Sequence, residues 1–505
     1  MSRLSKNIMY NLLGQGLLLL LGFVAVKYIF NQLGEDALGI IYFTLTMNAV
    51  LCAVLEMGIC STMVREVSSH FQDEPTYIRD LIRTASLFYW VAYVLLAIGI
   101  YWGAPVLVEK WINLKTMDAA TATRMLQILG LSALVTLPRS LYASLFRGLQ
   151  RMEFNNIIDV AISALQQFGT VVILAFGGGL FQVVYWFAVC FALSILTYLF
   201  VSVRFFSWQT FIPGYSSTVI RRNLGFSSNM MSISILAMIH TQADKVIVSK
   251  LLPIGTFGFY GFASGAVSKA TLVTGSIAQA AFPSFSALFQ GGDRAGMMAQ
   301  YRKLHDLLCF ATVPFFAAFP FVVLPLFSYL FNREVAQTLL VPITFLCVGY
   351  YMNATLNVPY VFSLAVGKPE ISTRSNFYAL FIVLPVTGFL IYFFGLPGAG
   401  FSWVFYHLFA YSYVVPRICS ECLNIRVMAW YKHILRIAVL TISTYGFAWI
   451  FVIFVGVYTV QFLILVYLGI SFVFMIGAYQ LIGEELRESF LQLPRLLKIG
   501  SSETL

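Results

Sequence analysis

The chain has 505 residues, of which 60% are hydrophobic and only 10% charged, and it carries a net charge of +10. Such a composition excludes a water-soluble globule with a polar exterior. Continuous apolar runs of about 20 residues exclude a barrel of short alternating strands.

An all-α, polytopic membrane protein is therefore expected, with about fourteen helices of the length needed to cross about 30 Å of hydrocarbon. In chain order they fall near residues 8–30, 38–64, 81–104, 122–146, 155–176, 180–203 and 223–249. A second series lies near 257–284, 301–326, 336–362, 372–394, 399–419, 433–455 and 459–482. The first span is too long for a signal peptide and runs into Asn31-Gln32-Leu33-Gly34-Glu35-Asp36 without a small-residue cleavage pattern.

The two series resemble one another. Gly39 of Leu33-Gly34-Glu35-Asp36-Ala37-Leu38-Gly39 matches Gly258 of Leu252-Pro253-Ile254-Gly255-Thr256-Phe257-Gly258, an offset of about 219 residues. Arg83 maps onto Arg302 and Gly148 onto Gly367, and Lys6-Asn7 matches Arg222-Asn223 three residues out of register. Two outer connections, 177–180 and 395–400, are uncharged and occupy equivalent places. The predicted organisation is two pseudo-symmetric six-helix lobes, 1–210 and 211–425, followed by a helix pair and tail, 426–505. Duplicated bundles of this kind let one half rock against the other around a central site.

Cations set the orientation. About 22 of the 31 Lys and Arg residues fall in loops that are cytoplasmic if the amino terminus is inside, so both termini are expected there. These cations are spread over many segments, which suits anionic lipid headgroups better than nucleic acid. The seven cysteines give no disulfide framework. Cys419 and Cys422 form a lone CxxC without a second pair or a histidine at metal spacing, so no metal or cofactor is expected. Asn353-Ala354-Thr355 lies within a span and is discarded as a glycosylation acceptor.

No polar segment is long enough for a separate soluble domain, so function must reside in the spans. Ionisable residues there are costly unless they face water or a partner. The cations are Lys27, Arg139, Lys245 and Lys269; the other groups are Glu56, Asp159, Asp244 and His240. Lys27 and Lys245 hold nearly equivalent positions in the repeats, so a basic cavity between lobes is expected, suited to a phosphate or diphosphate. Each residue also has a plainer reading. Lys27 snorkels to headgroups, Arg139 satisfies the carbonyl freed by Pro138, and Asp244 neutralises Lys245. Glu56 and Asp159 then pair at the rim with Arg65 and Arg151. The charged run 65–83 reads as a solvated loop.

Three stretches resemble the polysaccharide transporters of the multidrug, oligosaccharidyl-lipid and polysaccharide exporter superfamily. They are Leu55-Glu56-Met57-Gly58-Ile59-Cys60-Ser61-Thr62-Met63-Val64-Arg65-Glu66, Phe146-Arg147-Gly148-Leu149-Gln150-Arg151-Met152-Glu153, and Gln242-Ala243-Asp244-Lys245-Val246-Ile247-Val248-Ser249-Lys250-Leu251 with Gly258-Phe259-Tyr260. The resemblance implies a flippase of the bacterial inner membrane, not an enzyme, that moves an undecaprenyl-diphosphate-linked oligosaccharide between leaflets through a cationic lumen. It also implies a polysaccharide polymerase and chain-length proteins as partners, and carries Asp244 and Lys245 as candidates. Lys27, Arg139 and Lys269 lie outside its clear motifs. Many relatives stop at twelve helices, and the additional pair here resembles that of peptidoglycan-precursor flippases, where it helps form a lipid-tail groove. Two alternatives stand beside this reading: an ion-coupled drug or cation antiporter of the same superfamily, and an integral-membrane glycosyltransferase or polymerase.

Overall fold

The computed structural model describes residues 3–56 and 58–488. Met57 of the first family-like stretch and the expected cytoplasmic tail beyond 488 lie outside the described residues.

Among the described residues eighteen α-helices follow one another: α1 (Arg3–Leu33), α2 (Glu35–Leu55), α3 (Ile59–His70), α4 (Pro75–Lys110), α5 (Ala119–Ala133), α6 (Thr136–Gly148), α7 (Met152–Ala175), α8 (Leu180–Val203) and α9 (Ser217–Leu251) come first. Then come α10 (Ile254–Ser268), α11 (Ala270–Gln290), α12 (Arg294–Leu330), α13 (Arg333–Ala365), α14 (Glu370–Phe394), α15 (Leu396–Arg417), α16 (Val427–Thr441), α17 (Phe447–Val455) and α18 (Val460–Leu481). Eleven described segments are long and apolar enough to cross a membrane. A helix or a broken pair of helices covers every expected span. Breaks explain the larger element count: Gly58 takes a left-handed φ of 66° between α2 and α3, a conformation glycine adopts without a Cβ penalty. Between α16 and α17, residues 442–446 form a wide π-type turn, and residues 418–423 form another after α15. The order repeats, since the helix starts at Glu35 and Pro75 recur at Ile254 and Arg294, each about 219 residues on.

By mutual contact the helices form two units, Met1–Phe262 and Ala263–Leu505. In the first, α1 packs on α7, α2 on α5 and α9, and α8 on α5, α6 and α7. Its core gathers Tyr89, Leu141, Phe146 and Tyr198, all almost fully buried. This unit takes in α9 because α2 lies along it. In the second unit α13 packs on α11, α12 and α15, and the last helices, α16 and α18, pack on α12. A continuous core of Phe285, Tyr301, Phe321, Trp430 and Phe474 joins the appended pair to the rest of that unit. Many other large apolar side chains, such as Leu95, Phe381, Phe454 and Leu465, are exposed on the protein surface. Lipid tails solvate such side chains as well as a protein core does.

Both α12 and α13 carry prolines in their interiors, which a helix packed among others in a membrane tolerates better than one in water.

Candidate functional site

Two of the acid–cation pairs in the first unit involve residues singled out from the sequence. On α9, Asp244 is 3% exposed and accepts a hydrogen bond from the Tyr260 hydroxyl of α10 through Oδ2 at 2.6 Å. Lys245 Nζ sits 3.7 Å from Asp244 Oδ1 and donates to the Thr241 carbonyl at 3.0 Å. Neutralisation of Lys245 by Asp244 thus has direct geometry. His240 is half-buried one turn earlier, and Lys27 is half-buried on α1.

Arg139 has a different partner from the one its sequence context suggests. Pro138 cannot donate to the Leu134 carbonyl, but the Leu137 N–H does so at 3.0 Å, leaving nothing there for Arg139 to satisfy. The guanidinium instead donates to Asp159 Oδ1 on α7 at 2.6 Å. The Tyr198 hydroxyl of α8 donates to the same oxygen at 3.0 Å, and the Arg139 guanidinium lies 5.4 Å from the Tyr198 ring centre. Asp159 therefore does not pair with Arg151, which approaches Glu153 at 3.5 Å. Nor does Arg65 take Glu56: its Nε donates to Glu66 at 2.8 Å, while the Glu56 backbone carbonyl accepts from the Tyr89 hydroxyl at 3.2 Å. Lys269 stands at the junction of α10 and α11 in the second unit, exposed.

Two buried carboxylates of the first unit escaped the sequence reading. Asp36, 1% exposed at the start of α2, accepts through Oδ2 the backbone N–H groups of Lys115 at 2.9 Å, Thr116 at 2.6 Å and Met117 at 2.9 Å, and the Thr116 hydroxyl at 3.1 Å. Successive amides aimed at one anion make a nest whose dipoles replace its water. The same segment reaches the α9–α10 connection. Trp111 Nε1 donates to Ser249, Asn113 Nδ2 to the Lys250 carbonyl, and Ile254 N–H to the Asn113 carbonyl. Here the repeat-related glycines meet: a Cβ on Gly39 would overlap the Ile254 carbonyl, and one on Gly258 would fall 2.8 Å from Gly39 Cα.

Glu66, 3% exposed on α3, corrects the view of 65–83 as merely a solvated loop. It holds Arg65, accepts from the Tyr77 hydroxyl at 3.0 Å, and lies 3.6 Å from Arg222 and 3.4 Å from His70. Arg222 and Asn223 come from α9. Asn223 donates to Tyr77 at 2.8 Å and accepts from Arg65 at 3.2 Å. Arg222 grips Glu74 with two bonds of 2.7 and 3.1 Å, a fork geometry that strengthens the pair. Its guanidinium holds the exposed Glu74 carboxyl below its ordinary value. The signal available in sequence was the match of Arg222-Asn223 to Lys6-Asn7.

In the second unit, an apolar cavity of about 330 Å³ opens between α12 and α18, lined by Phe321, Pro325, Tyr329, Val460, Leu463 and Tyr467 among others.

Residues 4–289 match the model of a family described as "Polysaccharide biosynthesis protein". This chain belongs to that family. A "Putative O-antigen transporter" of Shigella flexneri is 20% identical over 438 residues, spanning 82% of this chain and 98% of the relative. Among solved structures, the fold is similar to that of "Lipid II flippase MurJ, inward closed conformation", with a TM-score of 0.68, 14% identity, and coverage of 94% of this chain and 99% of that one. It is also similar to an inward-facing multidrug resistance MATE family transporter of the MOP superfamily, with a TM-score of 0.64, 16% identity, and coverage of 81% and 95%. The chain therefore shares the fold of these structures and is a multi-pass helical membrane protein.

Proposed function

We propose that the protein is a flippase, not an enzyme, that carries an undecaprenyl-diphosphate-linked oligosaccharide from the inner to the outer leaflet of the bacterial cytoplasmic membrane by alternating access. The observation that carries this reading is the family match over residues 4–289, reinforced by a transporter relative aligned over nearly its whole length. Segments 1–210 and 211–425 act as the two lobes, 426–505 as an appended pair and tail, and both termini are cytoplasmic. Lys27, Lys245 and Lys269 are the proposed diphosphate ligands, because an ammonium inside the membrane is costly unless its charge is used. Arg139 and Lys245 are the weaker of the four, since Asp159 and Asp244 already pair with them. Asp244 and His240 are the proposed coupling groups, with Glu56 and Asp159 in supporting roles. The cavity between α12 and α18 is apolar, as a groove for a polyprenyl tail must be. A polymerase and chain-length proteins would take the product.

The test is leaflet exchange in proteoliposomes with a polyprenyl-diphosphate sugar. Exchange that Lys269→Glu abolishes, in protein inserted at the normal level, supports the reading; exchange unaltered by Lys269→Glu removes that residue from the site. Removal of α16–α18 should impair exchange of long-chain lipid if the groove holds its tail. A second reading, an ion-coupled antiporter of cationic drugs, is favoured by the likeness to the MATE transporter fold. Drug-dependent cation flux without lipid exchange would establish that reading and overturn the first.

A further inference from the structure

We propose that the second unit carries a zinc site formed by His305 and Asp306 of α12 and His433 of α16. One donor atom from each side chain lies within 4.8 Å of the other two. Ligands sharing one tetrahedral ion at about 2.0–2.2 Å are themselves about 3.3–3.5 Å apart. His433 Nε2 and Asp306 Oδ1 are already near that separation, and the widest pair need close by at most about 1.5 Å to complete the set.

The decisive detail is how Asp306 and His433 meet. His433 Nε2 stands 3.0 Å from Asp306 Oδ1, yet that nitrogen is buried and makes no hydrogen bond. The two atoms are close without being aligned as donor and acceptor. A buried imidazole nitrogen left without a hydrogen bond beside a carboxylate oxygen is open to a cation that both could ligate. The surroundings fit as well. The other carboxylate oxygen, Asp306 Oδ2, accepts the Gly483 N–H at 2.7 Å, an outer contact that fixes the orientation of a ligating carboxylate. His305, 4% exposed, is stacked on Tyr301 with ring centres 5.3 Å apart, and Cys309 Sγ lies 3.6 Å from its Nε2. The nearby cation Arg302 is engaged by Glu485 at 3.2 Å, so Asp306 is left to the two imidazoles.

Two nitrogens and one carboxylate oxygen suit zinc, a borderline-soft ion, better than the all-oxygen shells of calcium or magnesium. Three protein ligands leave a fourth position for water, entering beside the partly exposed His433. Bound there, zinc would clip α16, and through Gly483 the end of α18, to α12.

Full-length protein purified with a non-histidine tag and no chelator should contain about one zinc per chain by elemental analysis. After chelation, Co²⁺ should bind and give the visible bands of a four-coordinate ion, and zinc should restore the melting temperature lost to the chelator. His433→Gln and His305→Gln should each lower metal affinity at least about tenfold, the lower end of what loss of even an outer-shell partner costs. His407→Gln, which replaces another buried histidine, should leave metal content unchanged. The proposal is overturned if the wild-type protein holds only trace metal and gives no cobalt bands. It is equally overturned if His433→Gln retains the zinc, or if the variant and wild type respond alike to chelator. Because the cobalt spectrum is read on the wild-type chain, a variant that fails to fold does not spare the idea.

Discussion

Asp36 and Glu66 are both buried carboxylates in the first unit, at opposite ends of the α2–α3 run, yet they are neutralised in opposite ways. Asp36 is met by three backbone amides and a hydroxyl from one short segment, 115–117. Those dipoles are fixed once the segment folds, so they cost little to keep in place and cannot leave singly. Glu66 is met by the long side chains of Arg65, Arg222 and Tyr77, with the Arg65 and Arg222 side chains 39% and 37% exposed. Flexible cations give up entropy to stay there and can swing to water. The comparison assigns Asp36 to a fixed joint and Glu66 to a contact between α3 and α9 that can be made and released at modest cost.

Breaking the joint should have the largest effect. Asp36→Ala takes the shared acceptor from three amides of a partly exposed segment, and loss of charge-assisted bonds costs about 1.5–3 kcal/mol each when unshared. A fall of about 3 kcal/mol or more in stability is expected, read as a lower melting temperature and poor recovery of folded protein from detergent. Asp36→Asn should fall between the two, because one amide oxygen keeps part of the nest. If Asp36→Ala melts with wild type, the amide nest is not a joint. Next in size is Gly39→Val, where a side chain must displace the Ile254 carbonyl; overpacking of this kind costs about 1–3 kcal/mol. Transport should drop with it, and normal transport would mean that α2 and α10 do not need this close approach.

Glu66→Gln sharpens the comparison from the other side. Shape and one acceptor remain while the charge that draws two arginines is lost, so the effect on stability should be about 1–2 kcal/mol after allowing for solvent around the cations. The more telling readout is access. A cysteine replacing Ser227, whose hydroxyl now bonds Thr62 at 2.7 Å, should react faster with a water-soluble thiol reagent once Glu66 is neutral. Equal rates in both backgrounds would make the cluster a static element like Asp36.

The positions of the helices were legible because crossing hydrocarbon demands long apolar runs, and the match of Gly39 to Gly258 was legible because they meet at a place where neither can carry a Cβ. The adjacency of Asp244 and Lys245 was legible for the same local reason. What failed were partnerships across sequence. Arg139 took Asp159 from the next helix over a closer-looking carbonyl, since a carboxylate beside a guanidinium outweighs a carbonyl already taken by Leu137. Asp36 and Glu66 looked like ordinary acids at helix ends, because neither periodicity nor composition reports which loop folds back on them. His305 and Asp306 on α12 are separated from His433 on α16 by three helices, and only packing of α16 on α12 unites them.

The smallest expected effect concerns Glu74, the exposed member of the Glu66 cluster. Arg222, bonded through both nitrogens, lowers the Glu74 carboxyl from its ordinary value of 4.5 in the folded protein. A carboxyl with a depressed folded value binds more protons when unfolded, so its contribution is fully present above 4.5 and fades as pH falls through the lower folded value. The melting temperature of wild type should therefore exceed that of Glu74→Gln slightly near neutrality, and the gap should close below pH 4.5. High salt should shrink the same gap, because solvent reaches both partners. A gap that persisted undiminished in acid would mean that Glu74 acts through packing, and that the mobile side of the comparison owes nothing to its charge.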